Sequence, residues 1–292
     1  MKAWISGAEG FVGSHLKELL VADDWEICSF DLHRNQNLLD YDSVRNNLDK
    51  YRPTHIFHLA AQAYVPESFL NPKRAFEVNT IGSLNLLEAI RQLGIKTRIL
   101  LAGTSEEYGD AEPKEYGGMN PQSPYAISKL AMDHLGQLYA KAYGLQVVVT
   151  RAFNHAGPGR GEMYAESAFA KQIVEVENGT RKIVEHGNLE SVRNYTDVRD
   201  IVKAYKLAIE LPPDVYNICS DQNVTMQSVM NTLVRNAKKR VKTQVNPNLY
   251  RPADFSFKTP SCDRFKKLTG WEPTIPLKTT LVDILGDWRS RL

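Results

Sequence analysis

The stretch Lys2-Ala3-Trp4-Ile5-Ser6-Gly7-Ala8-Glu9-Gly10-Phe11-Val12-Gly13-Ser14-His15-Leu16 decides the fold. A short apolar run of β type ends in three glycines spaced G-x-x-G-x-x-G, and a helical pattern starts at the last of them. Gly7 permits the tight turn out of the strand, Gly10 lets the backbone approach a pyrophosphate, and Gly13 lets the helix sit close on the strand. The N-terminus of that helix offers free N–H groups to the phosphates. Gly7, Gly10, Phe11, Val12 and Gly13 are therefore candidate contacts to a dinucleotide.

Beyond this turn a second strand, Glu26–Phe30, ends on Asp31, whose carboxylate is placed to accept hydrogen bonds from an adenosine ribose. A carboxylate there repels a 2′-phosphate, so NAD(H) is favoured; His33 and Arg34, two and three residues on, keep NADP(H) open. Further strand candidates at 55–59, Arg98–Ala102 and 145–150 alternate with helical patterns at 13–21, 41–50, 79–93 and 125–143. That alternation specifies an α/β fold, a doubly wound parallel sheet of Rossmann type. After Arg151, glycine and proline punctuation becomes dense and the elements shorten. Residues 1–150 are thus expected to form the dinucleotide-binding domain and 151–292 a smaller, interleaved α/β substrate domain, with a late strand near 215–219 returning to the sheet. The two longest helical patterns, on one outer face, suit a homodimer bundle.

The composition narrows the partners. Of 292 residues 42% are hydrophobic and 24% charged, and 36 basic against 34 acidic side chains leave a net charge of +2, which excludes a nucleic-acid binder. Lys238-Lys239-Arg240 reads as a solvated helix end. Cys28, Cys219 and Cys262 have neither disulfide nor zinc spacing, so no metal is expected and a reducing cytoplasm fits. The N-terminus runs straight into a strand, so no signal peptide is expected, and no apolar run approaches the ~20 residues of a membrane span.

Ser123-Pro124-Tyr125-Ala126-Ile127-Ser128-Lys129 puts a tyrosine and a lysine four residues apart at the start of a helix, on one face. A phenol with an ordinary pKa near ~10 is a poor acid or base at neutrality unless a neighbouring cation stabilises its phenolate. Lys129 supplies that charge and can also reach the nicotinamide ribose. Gly103-Thr104-Ser105-Glu106-Glu107-Tyr108-Gly109 follows the fourth strand, at the carboxyl edge where open α/β sheets bind ligands. Thr104 offers a hydroxyl to a substrate oxygen; Glu106 is either a second acid/base or a turn residue. His58-Leu59-Ala60-Ala61-Gln62 ends the third strand in small residues that admit a cofactor.

Together with Asn79 in Val78-Asn79-Thr80, these motifs resemble the extended short-chain dehydrogenases/reductases, over nearly the whole chain. Within that family Gln62, Thr104-Ser105-Glu106-Glu107-Tyr108-Gly109, Pro121-Gln122-Ser123-Pro124-Tyr125 and Arg151-Ala152-Phe153-Asn154-His155-Ala156-Gly157-Pro158-Gly159 are similar to the group acting on GDP-mannose derivatives. So is the stretch from Gly187 to Asp200. The resemblance implies a GDP-sugar substrate, catalysis by Thr104, Tyr125, Lys129 and Glu106, and cofactor contacts from Leu38, Leu59, Ala60, Ala61 and Asn79. It further implies substrate contacts from Gln62, Thr104, Asn154, Lys171, Arg193, Arg251 and Asp254. The two arginines suit a diphosphate through their planar forks. The implied reaction is reduction of the C4 ketone of GDP-4-keto-6-deoxy-D-mannose to GDP-D-rhamnose, with the talose epimer, epimerisation or GDP-mannose 4,6-dehydration as alternatives. Asn37, before Leu38, stands where the family usually has an acidic residue. Thr104 replaces the serine common in the reductases and matches the Thr-Ser-Glu of the dehydratases, while the short chain and the Glu106-Glu107 pair favour a reductase.

Overall fold

The structure is a computed structural model that describes residues 1–250 and 260–292. In chain order its first elements are β1 (Lys2–Ser6), α1 (Phe11–Ala22), β2 (Glu26–Phe30), α2 (Tyr41–Tyr51), β3 (His55–His58), α3 (Val65–Leu70), α4 (Pro72–Phe76), α5 (Gly82–Leu93), β4 (Arg98–Ala102), α6 (Pro124–Tyr143) and β5 (Gln146–Ala152). There follow β6 (Asn154–Ala156), α7 (Ala165–Asn178), β7 (Val184–His186), β8 (Val192–Asp197), α8 (Val198–Ala208) and β9 (Val215–Ile218). The last are β10 (Asn223–Thr225), α9 (Met226–Arg235), β11 (Thr243–Val245), α10 (Asp263–Thr269) and α11 (Leu277–Arg291). No helix among the described residues is long and apolar enough to cross a membrane.

Two units divide the chain: Met1–Ala152 with Val202–Ile218 and Ser261–Trp271, and Phe153–Ile201 with Cys219–Pro260 and Glu272–Leu292. The first holds a sheet in the order β2-β1-β3-β4-β5-β9, parallel throughout. Helices cover a parallel sheet on both faces, which is why β3 is buried at every residue instead of alternating. Trp4, Leu48, Ile56, Leu86, Ile99 and Val147 belong to this core, and each such side chain contributes roughly 1.5–3 kcal/mol on burial. Chain order reverses between β1 and β3, so the crevice beyond their carboxyl ends is the ligand site of this topology.

Two departures from the sequence-based expectation concern this unit. The helical pattern from residue 79 begins instead as a π-turn, Glu77–Ile81, and regular α-helix starts only at Gly82. Apolar spacing cannot distinguish the two ladders; the wider turn carries Asn79, which is fully buried. Besides the 215–219 strand, Val202–Ala208 and α10 also return to the first unit. Arg264 Nη1 donates to Val215 O at 2.8 Å, and Phe265 lies between Tyr216 and Trp271, with ring centroids 6.4 and 5.6 Å away. These contacts fasten α10 to β9.

The second unit has a three-stranded sheet, β10-β8-β6, and a two-stranded one, β11-β7. Its core gathers Phe169, Ile173, Tyr195, Leu233, Ile284 and Trp288 from α7, β8, α9 and α11.

Candidate active site

At the end of β1, Gly7 takes φ +70°, and a Cβ on it would stand 2.8 Å from Ala60 N; a Cβ on Gly13 would stand 2.1 Å from Gly7 O. No side chain fits at either place, so the turn's backbone lies directly on the end of β3. The N-terminus of α1 has Gly10 as its cap residue and no side-chain cap, leaving N–H groups for an anion. A bare glycine cradle and an uncapped helix start fit a dinucleotide pyrophosphate. Phe11 and Val12 open α1, both half-buried.

Ser6 and His58 lock the two strand ends together, a pairing that sequence reasoning missed. Ser6 Oγ lies 2.7 Å from His58 Nδ1 and accepts from Leu59 N–H and Ala60 N–H at 3.2 Å each, while His58 Nε2 lies 2.8 Å from Ser83 Oγ. Burial, with a smaller contribution from the Lys129 charge, pushes the His58 pKa down to about 3, so the ring stays neutral and structural. Asn79 ties the same strand end to the catalytic helix: it accepts from Gln62 N–H at 2.8 Å and donates to Gln62 O at 3.1 Å and to Ser128 Oγ at 2.9 Å. Gln62 donates its amide to Tyr64 O, but its buried Oε1 has no partner among the described residues. An orphaned acceptor at a strand end is what a ligand donor satisfies. Ala61 is half-buried beside it, and Leu38 is buried against Gly82.

Asp31 is buried, and each carboxylate oxygen accepts one main-chain N–H at 3.0 Å, from Glu9 and from His33. It staples the glycine turn to the turn after β2. Arg34, which with His33 keeps NADP(H) open on the sequence, pairs with Glu9, its Nε and Nη2 at 3.2 and 3.0 Å from Oε1.

Thr104 caps the short turn after β4. Its Oγ1 accepts from Glu106 N–H at 3.3 Å, and Glu107 returns a carboxylate oxygen to Thr104 N–H at 2.8 Å, a capping box. This turn packs against α6. Helix α6 begins cleanly, since Ser123 Oγ accepts from Ala126 N–H at 3.1 Å and Pro124 sits in the first turn. Tyr125, Lys129 and Asp133 then follow at four-residue intervals on its buried face. Burial pushes the Lys129 pKa down to about 8 against the opposing charges of Glu107 and Asp133.

Glu106 is half-buried, whereas Glu107, which sequence reasoning did not separate from it, is fully buried. Arg151 Nε donates to Glu107 Oε2 at 3.0 Å and to Asp133 Oδ2 at 2.8 Å. Its Nη1 donates to Tyr108 Oη at 3.2 Å and Glu115 O at 2.9 Å. Burial first, then the Asp133 charge, drives the Glu107 carboxyl well above its ordinary range. Two carboxylates and two cations thus share one dry region beneath the Thr104 turn.

A family model described as GDP-mannose 4,6 dehydratase matches residues 29–284. The chain belongs to the GDP-mannose 4,6-dehydratase family. Like other members it is an enzyme with the extended short-chain dehydrogenase/reductase fold. It is similar to the GDP-6-deoxy-D-mannose reductase of Pseudomonas aeruginosa, 32% identical with 100% of this chain and 98% of that protein covered. The solved structure of RMD from Pseudomonas aeruginosa complexed with NADPH superposes with a TM-score of 0.91 at 31% identity, covering 100% of this chain and 99% of that one. Thermus thermophilus UDP-glucose 4-epimerase in complex with NAD gives 0.89 at 29%, with both chains covered in full.

The remaining sequence-derived positions within the described residues of this family member, Asn154, Lys171 and Arg193, lie in the second unit. Asn154 opens β6, half-buried, and pairs in register with Tyr195 of β8. Arg193, on β8, donates from Nη1 to Val192 O at 2.8 Å. Lys171, on α7, is paired with Glu162 and lies 3.7 Å from Glu175. It lines a groove of about 240 Å³ with Gln172, Arg181 and Asn246. Arg251 and Asp254 lie outside the described residues.

Proposed function

We propose that this protein reduces the C4 ketone of GDP-4-keto-6-deoxy-D-mannose to GDP-D-rhamnose at the expense of a nicotinamide cofactor. The observation that carries the reading is the pair Tyr125 and Lys129, buried on one face of α6 against which the Thr104 turn packs. Full-length likeness to a GDP-6-deoxy-D-mannose reductase supports the sugar. When bound, the reduced nicotinamide supplies the hydride that C4 receives. Tyr125 donates its phenolic proton to the C4 oxygen, and Lys129 brings that phenol down from its ordinary pKa near ~10 by stabilising the phenolate. Thr104 Oγ1 accepts from Glu106 N–H, which leaves its own hydrogen for the same ketone oxygen. Asn154, Lys171, Arg193, Arg251 and Asp254 hold the nucleotide sugar in this proposal, and the unpartnered Gln62 Oε1 supports a ligand donor beside it. Asp31 makes NADH the preferred cofactor.

Stoichiometry separates reductase from dehydratase. Incubated with GDP-4-keto-6-deoxymannose, the protein is expected to consume one reduced cofactor per sugar, read as falling absorbance, and to leave GDP-mannose untouched. Conversion of GDP-mannose to its 4-keto-6-deoxy product with no net change in the nicotinamide overturns the reductase and makes Glu106 the base of a dehydration. Identifying the sugar formed distinguishes rhamnose from talose.

The protein pairs as a homodimer in the same proposal. Ile127 and Leu138, 44% and 53% exposed, share the outer face of α6 with Ala131 and His134 at helical spacing, and Ile81 is 46% exposed. An apolar stripe of this kind on a single chain marks an interface. Light scattering should give twice the chain mass, and Ile127→Glu with Leu138→Glu about half of that; a monomeric parent disproves the pairing.

A further inference from the structure

Glu9 stands between Gly7 and Gly10, the first two glycines of the turn, and the reductase mechanism makes no use of it. Its N–H donates to Asp31 Oδ2 at 3.0 Å, so its backbone is fixed beside the carboxylate read above as the partner of an adenosine ribose. Its side chain turns onto two cations. Arg34 reaches Oε1 through Nε and Nη2 at 3.2 and 3.0 Å, and Lys17 Nζ reaches Oε2 at 3.0 Å. The hydrogen bonds from Lys17 and then Arg34 hold the Glu9 carboxyl below its ordinary range. Arg34 belongs to the short turn Leu32–Arg34, which Asp31 caps through His33 N–H. The guanidinium that keeps NADP(H) open on the sequence is therefore already matched by a carboxylate of the glycine turn.

We propose that Glu9 is a cofactor-specificity residue: by engaging Arg34 and Lys17 it withholds from a 2′-phosphate the cations that would bind it, and it sets a second carboxylate beside Asp31, so the pocket selects NADH. This rests on residues 7–13 and Asp31 forming the cofactor grip. Glu9, Asp31, Arg34 and Lys17 sum to zero charge. A phosphate of charge near −2 entering there has to displace a carboxylate from Arg34 while facing Asp31. Exposed pairs of this kind are individually weak, so a single substitution releases the cations.

Glu9→Gln keeps the side-chain length and the main-chain bond to Asp31. The test is equilibrium titration of NADH and NADPH, followed by tryptophan fluorescence, into the parent, Glu9→Gln, Arg34→Ala, the Glu9→Gln/Arg34→Ala double variant and Asp31→Ala. Glu9→Gln should move the ratio of the two dissociation constants about tenfold toward NADPH, the scale of one charge near the protein surface acting on a phosphate at close range. The double variant should lose most of that gain. A ratio unchanged within twofold in Glu9→Gln overturns the proposal, as does a shift that persists in full without Arg34. A parent that binds neither cofactor overturns both the proposal and the grip it rests on. A parent that prefers NADPH overturns the proposal, because the pocket then does not select NADH; a neutral Asp31→Ala in a parent that prefers NADH removes Asp31 alone from the reading and leaves Glu9 to be judged by its own variant.

Discussion

Tyr125→Phe lowers turnover at least ~100-fold while the dissociation constant for the cofactor changes little, because a positioned acid/base is worth about 10²–10⁴ in rate. The substitution removes one oxygen and nothing else. The start of α6 is held by Ser123 Oγ, which accepts from Ala126 N–H, and by Pro124 in the first turn, so the helix and Lys129 are expected to stay in place. The loss therefore belongs to proton transfer and not to folding. A pH profile adds an independent reading. Lys129 must be charged to draw the phenolate down, and its pKa lies at about 8 because burial penalises the cation more than Glu107 and Asp133 restore it. Turnover of the parent should thus decline as pH rises through about 8, and the residual rate of the variant should lack that limb. Near-normal turnover in Tyr125→Phe would remove this residue from the mechanism.

What sequence reveals of this protein depends on how far apart the interacting residues lie. The glycine turn, β1 and β2 are legible because their causes are local: a Cβ at Gly13 would strike Gly7 O, six positions away. The Tyr125 and Lys129 pair is legible for the same reason, being one helical turn. Asn79 is visible as a motif, yet not its work, which is to bridge Gln62 and Ser128 at separations of 17 and 49 residues. Arg34 stands close enough to Asp31 in sequence to keep NADP(H) open, but nothing local shows that its carboxylate partner, Glu9, lies 25 residues earlier. Similarly, the membership of α10 in the first unit follows from Arg264 meeting Val215 across 49 residues. No period or propensity encodes such pairings.

The buried cluster around Arg151 carries the largest expected effect on stability. Arg151 is 2% exposed and its Nε bridges Glu107 and Asp133, neither of which is exposed at all. Arg151→Met keeps the volume of the chain and removes the charge, leaving two buried carboxylates with only Lys129 to oppose them. Breaking a buried ionic network from one side costs about 3–5 kcal/mol, a large part of the 5–15 kcal/mol that holds a typical domain together. The pH dependence follows from Glu107. Its folded pKa already exceeds the unfolded value, and Arg151 is one of the groups that restrain it, so the variant drives it higher still. A carboxyl raised in the folded state holds a proton that the unfolded chain has released, so between the two pKa values stability falls as pH rises. Urea unfolding should accordingly show a smaller deficit for Arg151→Met near pH 5 than near pH 8. Adding Glu107→Gln removes one of the stranded carboxylates and should recover part of the loss, a coupling expected only of groups in one network. If Arg151→Met matches the parent at pH 8, or if the double variant is no more stable than the single, the cluster is not what holds the Thr104 turn against α6.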